Sequence, residues 1–337
     1  MTSDSSNGAA DDVAIVAIGR NEGERLKLCL RAALRDARLV VYVDSGSRDG
    51  SAEYARALGC RVVELDRSRP FSAARARNEG FDCVMAQAPE TRFVQFLDGD
   101  CELEAGWIEA AAAMLRTRAE VGVVCGRVRE IHPEASVYNR LCDMEWRQPA
   151  GEARTSGGRF MARAQVYREV GGFRADVIAA EDDEFSIRVR RQGAKIYLLD
   201  APMAQHDAAI ASFRQWWRRN RRAGHAYAQV AALHGGGEER YFVRDRRRIL
   251  IWGLALPAAA LAAAPLTRGL SLPAMLGLYG LQWVHIARGC LRRGWSARDA
   301  WAYGWFTVIS RFRALAGLLE YYWRRLGRRQ MTIIEYK

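Results

Sequence analysis

The fold of this chain is decided by an apolar strand that runs directly into two carboxylates, Phe93-Val94-Gln95-Phe96-Leu97-Asp98-Gly99-Asp100. Successive side chains of a strand point to opposite faces, so we expect Asp98 and Asp100 to share one side, while Gly99 lets a metal or phosphate approach the backbone. Mg²⁺ and Mn²⁺ take oxygen ligands and often use one or two carboxylates together with substrate phosphates. A lone Asp-x-Asp pair is a weak signal that is more often a solvated turn, so the context must decide.

Short β-rich runs alternate with amphipathic stretches from Val13 onward. The predicted strands are 13–18, 39–43, 61–65 and 93–97, and the predicted helices are 24–34, 51–58, 72–87 and 105–116. This alternation is typical of βαβ units and predicts an α/β fold with a mixed, mostly parallel sheet. Ligands bind outside the carboxyl ends of such strands. Polar motifs at 19–22, 44–50 and 98–100 follow three strand ends, so we expect them to line one crevice.

The composition is that of a folded protein, since 50% of the 337 residues are hydrophobic and 27% are charged. The net charge of +12 is unevenly placed, with arginines crowded into 214–248 and acidic residues concentrated before Glu184. Such asymmetry indicates a basic surface for an anionic partner, which leaves nucleic acid, a membrane and a phosphorylated substrate open.

The character of the chain changes after His206. An arginine-rich helix is predicted over 212–233, and two uncharged stretches of 18 residues follow, 249–266 and 270–287. As helices each would reach about 27 Å, just enough for a thin bilayer core. Arginines flank the pair, so both ends of a spanning hairpin would face the cytoplasm by the positive-inside rule. A buried or interfacial helix pair is the alternative, which the prolines of these stretches favour.

We therefore predict three regions, a disordered tail over 1–12, an α/β domain over 13–235 and a helical membrane-associated region over 236–337. The aromatic and basic stretch 300–323 is typical of a helix that lies in a membrane interface. Residues 1–12 do not resemble a secretory signal. The seven scattered cysteines indicate a reducing compartment. We expect the chain at the inner (cytoplasmic) membrane, with its α/β domain in the cytoplasm.

Two further acidic motifs belong to this context. Asp44 ends a predicted strand and opens the loop 44–51, where its carboxylate could accept hydrogen bonds from a base or ribose. An ordinary helix-capping loop explains the same residues equally well. The second motif, Glu181-Asp182-Asp183-Glu184, precedes a helical-looking stretch at 185–192. Four acids at a helix start are usually a solvated turn that the helix macrodipole favours.

The ordered set of motifs resembles the family 2 glycosyltransferases of the GT-A fold, of the membrane-associated bacterial type. The resemblance covers about residues 13–233 and rests on Ala17-Ile18-Gly19-Arg20-Asn21-Glu22, Val43 to Ser51, Ala76-Arg77-Asn78-Glu79-Gly80, Phe96 to Asp100, Gly171-Gly172-Phe173, and Glu181-Asp182 through Arg188 and Gly193. It implies a Rossmann-like nucleotide-diphospho-sugar transferase. The implied reaction is an inverting transfer from a nucleotide-diphospho sugar, usually a UDP-sugar, with Mg²⁺ or Mn²⁺ on the diphosphate.

The resemblance also implies donor-binding roles, carried over motif by motif. Glu22 and Asp44 would hold the uridine, and Arg77 and Asn78 would line the donor pocket. Asp98 would contact the nucleoside. In chemical terms, the departing nucleoside diphosphate builds negative charge, which a divalent ion can neutralise.

The metal and the base follow from the same resemblance. Asp100 would bind the metal, and Asp182 would be the general base with Glu181 beside it, since an acceptor hydroxyl must lose its proton as it attacks. His206 follows the predicted strand 195–199, where similar enzymes place a further metal or diphosphate ligand. A structural hydrogen bond is the alternative role for this histidine.

One departure from the family pattern concerns polymer synthesis. Processive members carry Gln-x-x-Arg-Trp, whereas this chain reads Gln215-Trp216-Trp217-Arg218-Arg219. Arginine in place of the last tryptophan favours transfer of one sugar at a time. Gln215 and Arg218 remain predicted substrate-binding residues, because arginines at helical spacing could pair with donor phosphates, an acceptor diphosphate or anionic headgroups. A solvated basic face is the alternative.

We thus expect transfer to a membrane-proximal, glycan or lipid-linked acceptor in cell-envelope polysaccharide assembly, without a nucleic-acid partner. A sugar-phosphate nucleotidyltransferase is the rival enzyme, but it would need a glycine-rich, lysine-bearing loop where this chain has Gly19-Arg20-Asn21-Glu22. A membrane-anchored basic nucleic-acid-binding protein would explain the arginines. It would leave the strand-end carboxylates unexplained, because they repel phosphates without a metal.

Overall fold

A computed structural model of the chain describes residues 12–327. Residues 1–11 of the predicted disordered tail, like residues 328–337, lie outside the described residues. Asp12, the last residue of that tail, accepts backbone hydrogen bonds from Arg92 and Phe93. The described chain divides into two compact units, one of residues 12–132 and 142–208, the other of 133–141 and 209–327. The predicted boundary after residue 235 lies inside the second unit.

The first unit is built on a nine-stranded sheet. Its strands are β1 Val13–Gly19, β2 Leu39–Asp44, β3 Arg61–Glu64, β4 Phe93–Asp98, β5 Cys101–Leu103, β6 Val121–Glu130, β7 Gly151–Ala153, β8 Phe160–Arg163 and β9 Lys195–His206. They lie in the order β3-β2-β1-β4-β8-β6-β9-β5, and β7 pairs with β9. The predicted mixed α/β sheet is confirmed. Its parallel share was overestimated, because β8 returns antiparallel between β4 and β6, and β5 and β7 pair antiparallel with β9.

Helices cover both faces of this sheet. They are α1 Glu24–Asp36, α2 Ser51–Ala57, α3 Ala73–Gln87, α4 Trp107–Thr117, α6 Ala164–Glu169 and α7 Glu181–Arg191, while α5 Val137–Trp146 begins in the other unit. Alternate residues of β1 enter different cores, Val13, Ile15 and Ala17 in one and Ala14, Val16 and Ile18 in the other. A strand that is buried on both faces reads as a continuous apolar run, which is why β1 and β4 were recognisable from the sequence.

The second unit is helical. After residue 208 it comprises α8 Phe213–His234, α9 Val243–Leu250, a π-helical segment Ile251–Ala255, α10 Leu256–Ala263, α11 Ser271–Arg292 and α12 Ala297–Leu326. Helices α8 and α12 touch backbone to backbone, because a Cβ at Gly224 would overlap the Ala314 carbonyl and a Cβ at Gly317 would overlap the Arg221 carbonyl. These two glycines set the close crossing of the pair.

The two predicted hydrophobic stretches differ in the structure, since the first is divided into short segments and the second lies in one long helix. The stretch 249–266 is divided among the end of α9, the π-helical segment and α10, and Pro257 accounts for the break because it lacks an N–H and crowds the carbonyl four residues earlier. The stretch 270–287 lies mostly in α11. No helix within residues 12–327 has both the length and the apolar character needed to cross a membrane. Membrane association therefore stays a prediction.

The buried His225 of α8 generates a prediction about stability. Its side chain is fully buried beside Tyr321, and burial lowers its pKa to about 4, with a nearby carboxylate opposing the shift. Unfolded histidine binds its proton near pH 6.5, so the stabilisation is complete above that pH and is lost as the pH falls toward 4. We expect His225→Phe to reduce the drop in unfolding free energy between pH 7 and pH 5 by about 2 kcal/mol, measured by urea denaturation.

The exposed His285 provides the control for this experiment. His285→Phe should leave the pH dependence as in the wild type. An equal drop in wild type and His225→Phe would show that His225 is not the titrating group.

Candidate active site

Two loops at the carboxyl ends of β1 and β2 are joined by side-chain hydrogen bonds. The Asn21 amide oxygen accepts from the Arg48 backbone N–H at 2.8 Å, and the Ser47 hydroxyl oxygen accepts from the Asn21 N–H at 3.0 Å. Asp49 accepts from the Gly23 N–H at 3.0 Å. Asn21 has a φ of 55°, a left-handed conformation that asparagine tolerates better than most residues. The sequence motifs 19–22 and 44–50 therefore form one braced platform.

Asp44 lies at the base of this platform and is only 2% exposed. One carboxylate oxygen accepts from the backbone N–H groups of Gly46 at 2.9 Å and Ser47 at 2.8 Å, and the other accepts from the Tyr42 hydroxyl at 3.1 Å. These contacts are those of a carboxylate that shapes its loop. Uridine binding by Asp44 remains a prediction. A uridine would have to donate to the carboxylate lone pairs that these three hydrogen bonds do not use.

Glu22 is brought to the Asp98-Gly99-Asp100 turn, as predicted from the strand order. A Cβ at Gly99 would lie 3.3 Å from the Glu22 side chain and 3.2 Å from the Ile18 carbonyl oxygen. Glycine therefore suits this close approach of two strand ends, where a larger side chain would need its neighbours to shift. Glu22 also pairs with Arg25 at 2.7 Å, which fixes its direction.

Arg77 joins two predicted site carboxylates. Its guanidinium donates to Asp98 and to Glu181, each at 2.8 Å, and lies over the ring of Phe173. The side chain is 3% exposed. Burial alone would lower the pKa of Arg77, but the carboxylates of Asp98 and Glu181 raise it above its ordinary value. Arg77 thus ties the end of β4 to the start of α7, so Asp98, Glu181 and Arg77 form one buried ionic cluster.

Asp182, the predicted base, begins α7 next to this cluster. A Cβ at Gly158 would lie 3.3 Å from the Arg77 guanidinium and 4.0 Å from an Asp182 carboxylate oxygen, so these groups share one wall. Asp182 is half-buried. Burial raises its pKa to about 7, helped by the negative charges of Asp183 and Glu181 and opposed by Arg77. A carboxylate with this pKa is matched to proton abstraction near neutral pH.

The Asp98-Gly99-Asp100 segment is a turn rather than a continuing strand. β4 ends at Asp98, so the expectation that Asp98 and Asp100 share one side of a strand is wrong. The two carboxylates are linked instead through Arg159, whose Nη1 lies 3.7 Å from Asp98 and 2.9 Å from His206 Nδ1. His206 Nε2 in turn lies 3.2 Å from Asp100. The pairing of β5 with β9 produces this arrangement, because it places Cys101 opposite His206.

Asp100, Cys101 and His206 place their potential ligand atoms within 4.8 Å of one another. The Asp100 carboxylate suits Mg²⁺ or Mn²⁺, which prefer oxygen ligands. The thiol of Cys101 does not, because sulfur is a soft ligand. The residues present therefore fit a hard divalent ion at Asp100 that is completed by substrate oxygens.

Asn78 uses its amide within the protein. It donates to the Phe173 carbonyl at 2.8 Å and accepts from the Phe173 N–H at 2.8 Å and the Tyr167 hydroxyl at 2.7 Å. A Cβ at Gly172, whose φ is 62°, would lie 2.6 Å from the Asn78 oxygen. The Asn78 side chain, on α3, thus holds the Gly171-Gly172-Phe173 turn by hydrogen bonds, and a contact of Asn78 with the donor remains a prediction.

Gln215 and Arg218 lie on α8, in the helical unit. The Gln215 side chain accepts from the backbone N–H groups of Ala211 and Ser212, at 3.0 and 3.1 Å, and completes a capping box with the Ser212 hydroxyl. Gln215 therefore has a structural role in starting the helix. Arg218 is exposed. Their binding of substrate stays a prediction.

Two residues of the site were missed in the sequence. Arg159 is 9% exposed, and Trp146 stacks on the His206 ring with centroids 4.5 Å apart and lies 5.5 Å from the Arg159 guanidinium. The available signal was a single arginine between two glycines and a strongly apolar run, at Gly157-Gly158-Arg159-Phe160. Trp146 gave no signal, since tryptophan is also common in cores.

Comparison with known proteins identifies the α/β unit. Residues 14–171 match the family model described as Glycosyl transferase family 2. Within these residues the chain carries a family 2 glycosyltransferase domain. Glycosyltransferase AglE of Haloferax volcanii is 24% identical over 226 residues, covering 63% of this chain and 72% of that protein. Pre-mycofactocin glycosyltransferase of Mycobacterium tuberculosis is 25% identical over 236 residues, 66% of this chain, and the match spans about half of that relative, 48%.

Solved structures share the fold of this glycosyltransferase. The mannosyltransferase PcManGT from Pyrobaculum calidifontis, determined in complex with GDP-Man and Mn²⁺, aligns with a TM-score of 0.63 at 19% identity over 94% of this chain and 88% of that one. TarS 1–349 of S. aureus in complex with UDP aligns with a TM-score of 0.51 at 15% identity over 97% and 95% of the two chains. At these identities the likeness shows the fold, and the GT-A expectation is confirmed.

The buried ionic cluster generates a prediction about stability. Arg77→Gln leaves Asp98 and Glu181 without their shared cation, and breaking a buried ion pair from one side is strongly destabilising. We expect the free energy of unfolding to fall by about 3 kcal/mol, measured by urea denaturation at pH 7. The double variant Arg77→Gln/Glu181→Gln should recover part of this loss, because it also removes one of the two carboxylate charges that are left without their cation. A loss below about 1 kcal/mol in the single variant would contradict the cluster's stabilising role.

Proposed function

We propose that this glycosyltransferase is metal-dependent and inverting, and that it moves one sugar at a time from a nucleotide-diphospho sugar. The proposed acceptor is a hydroxyl of a membrane-proximal glycan or lipid-linked molecule in cell-envelope polysaccharide assembly. The observation that carries the proposal is one set of contacts that joins Glu181, the neighbour of the predicted base Asp182, to the predicted metal ligand Asp100. Contacts run from Glu181 through Arg77 and Asp98 to Arg159, and on through His206 to Asp100.

Asp182 is the group that would take the acceptor's proton. With its pKa raised to about 7, the carboxylate is a stronger base than an ordinary aspartate and is still largely ionised above neutral pH. Direct displacement by the activated hydroxyl inverts the anomeric carbon, and no covalent intermediate on the protein is required. The adjacent Glu181 is committed to Arg77, which supports Asp182 as the base of the pair.

Asp100 is the residue that would hold Mg²⁺ or Mn²⁺ together with the donor's diphosphate. The bound ion would supply Lewis-acid neutralisation of the charge that develops on the leaving nucleoside diphosphate. The chain itself contributes cationic side chains at the same end of the sheet. Arg77 and Arg159 face Asp98 and offset its negative charge, so that an anionic donor can approach.

The donor is proposed as a nucleotide-diphospho sugar on the strength of the shared fold. PcManGT was determined with GDP-Man and Mn²⁺, and TarS with UDP, so related architectures hold two different bases. A UDP-sugar is the first donor to test. The family match favours a glycosyltransferase over a sugar-phosphate nucleotidyltransferase or a nucleic-acid-binding protein.

A membrane-proximal acceptor is supported by the surface of the helical unit. Leu266 and Leu270, in the turn between α10 and α11, are 88% and 71% exposed, and Leu261, Leu276 and Leu281 on these two helices are exposed as well. Basic residues flank these helices. Exposed leucines with neighbouring arginines are suited to the headgroup boundary of an anionic membrane. We therefore place the enzyme at the cytoplasmic face of the inner membrane.

The catalytic proposal predicts turnover of a nucleotide sugar by the purified chain with Mg²⁺ or Mn²⁺. Asp182→Asn should lower kcat by about 10²- to 10⁴-fold, the range for loss of a general base. Asp100→Asn should abolish the metal-dependent activity, whereas Asp176→Asn, at an exposed ion pair with Arg174, should be unchanged. Transfer from a panel of UDP- and GDP-sugars, followed by NMR of the product anomer, tests donor and inversion together.

The pH profile is the sharper readout of the same prediction. The base must be deprotonated, so kcat/KM should rise through about pH 7 and level off above it, and the rise should vanish in Asp182→Asn. Failure to use or bind any nucleotide sugar would reject the function. A normal profile in Asp182→Asn would reject the assigned base.

The membrane proposal predicts flotation of the full chain with anionic vesicles. Vesicles containing phosphatidylglycerol should carry the chain to the top of a density gradient. Vesicles of pure phosphatidylcholine should float less of the protein, because they offer the arginines no anionic headgroups. The pair Leu266→Gln/Leu270→Gln should reduce flotation. The matched control is Leu28→Gln, an exposed leucine on α1 of the other unit. Equal flotation of both variants would show that the turn does not contact the membrane.

A further inference from the structure

The helical unit contains an arginine, Arg311 of α12, that no acidic side chain pairs with directly. It is partly buried, and no carboxylate within residues 12–327 lies within salt-bridge distance of it. Its Nη1 is fully buried and has no hydrogen-bond partner among those residues. An arginine stays charged in a protein, and a buried donor without a partner is unfavourable. The fold therefore keeps a cation here that the described chain does not use.

A second arginine adds to this positive charge. Burial lowers the pKa of Arg311, and so does the positive charge of Arg248 on α9, while Asp245 opposes the shift. Arg248 is exposed, and it too forms no ion pair with a described residue. Two guanidinium groups that repel each other attract an anion placed between them.

The guanidinium of Arg311 leaves the edge that binds phosphate unoccupied by protein groups. It lies over the Trp252 ring, 5.9 Å from the centroid, and a Cβ at Gly253 would lie 3.1 Å from the Arg311 carbonyl oxygen. The π-helical segment thus packs closely on α12 and holds the ring beside the charge. Only Nη1 of the guanidinium is fully buried, while Nε and Nη2 have no partner within the described part of the chain. Nε and Nη2 form the fork that takes two oxygens of a phosphate side by side.

The apolar surroundings favour a lipid over a free phosphate. Ile251 and Leu254 of the π-helical segment are 53% and 45% exposed, and Phe312 of α12 is 40% exposed. The ring of Tyr279 lies 5.8 Å from that of Trp252 and 5.7 Å from that of Phe312, so these rings form one group. A free phosphate gains nothing from exposed apolar side chains, whereas the hydrocarbon chain of a lipid removes them from water.

We propose that Arg311 and Arg248, beside Trp252, bind the phosphate group of an anionic lipid. The Nε and Nη2 groups of Arg311 donate to two phosphate oxygens, Arg248 supplies a second positive charge, and the hydrocarbon chain lies on the exposed apolar residues. Such a site rests on the membrane contact in the proposed function. It names the partner as a lipid phosphate, whether of a bilayer phospholipid or of a lipid-linked acceptor.

The first test is native mass spectrometry of the full-length protein, released from a nonionic detergent with one lipid added at a time. Phosphatidylglycerol stands for the bilayer, farnesyl phosphate for a lipid-linked carrier, and phosphatidylcholine is the zwitterionic control. We expect a single anionic lipid to bind more tightly than phosphatidylcholine. The anionic lipid that binds more tightly identifies the source of the phosphate. Equal binding of all three lipids overturns the proposal.

Variants locate the site in the same assay. Arg311→Gln should lower the affinity for the preferred lipid by about 10- to 100-fold, as the loss of charge-assisted hydrogen bonds does. Arg248→Gln, at an exposed position, should fold normally and also bind the lipid more weakly. The matched control is Arg268→Gln, which removes an exposed arginine from the turn between α10 and α11 and should leave the affinity unchanged. Wild-type affinity in Arg311→Gln, or an equal loss in Arg268→Gln, overturns the proposal.

Thermal unfolding separates lipid binding from a purely structural role of Arg311. Without lipid, Arg311→Gln should unfold at the wild-type temperature or above it, because the variant removes an unpaired buried N–H and the repulsion with Arg248. Added lipid should raise the unfolding temperature of the wild type more than that of Arg311→Gln. An equal rise in both proteins overturns the proposal. These measurements need no sugar donor, so a chain that transfers no sugar would reject the proposed function while the lipid site is still decided.

Discussion

The architecture of the site depends on one buried cation shared by two carboxylates. Arg77 comes from α3, Asp98 from the end of β4 and Glu181 from the start of α7, so a single guanidinium holds three elements at one edge of the sheet. A buried ion pair of this kind contributes little net stability compared with apolar packing, but removal of one partner is costly. Its effect is therefore to restrict geometry. The base candidate Asp182 lies next to Glu181, so its position and its raised pKa both follow from this cluster.

A second constraint fixes the two loops that follow β1 and β2. The loops after β1 and β2 are tied through Asn21, Ser47 and Asp49, and the Asp44 carboxylate supports its own loop from below. The sequence predicted that these groups either bind a ligand or stabilise the loop. Their hydrogen bonds within the protein are of the kind that stabilises the loop. The two roles are compatible, because a platform that is already ordered loses little entropy when it binds a donor.

Much of this could be predicted because the first half of the sheet is locally encoded. Strands buried on both faces give continuous apolar runs, and their polar ends mark the crevice, so Glu22, Asp98 and Asp100 were predicted to lie together. Asp182 was predicted from the family resemblance. Strand β5, at Cys101–Leu103, and strands β7 and β8, in the unassigned segment 118–180, were not predicted, because they are only three or four residues long and carry no period. Those strands place Arg159 and pair Cys101 with His206, and this pairing depends on residues about a hundred positions apart. The family match also ends at residue 171, before Asp182 and His206.

The turn at Asp98-Gly99-Asp100 shows how two identical side chains, two residues apart, acquire different chemistry. The oxygens of Asp98 face two guanidinium groups, at 2.8 and 3.7 Å, so its charge is largely offset within the protein. An Asp100 oxygen lies 3.2 Å from His206 Nε2. The two guanidinium groups beside Asp98 would repel the proposed divalent cation from that carboxylate, which favours Asp100 as its ligand. The different partners of Asp98 and Asp100 therefore account for their different proposed roles. Gly99 contributes because the backbone turns close against β1 at this position, so that the two carboxylates face different partners.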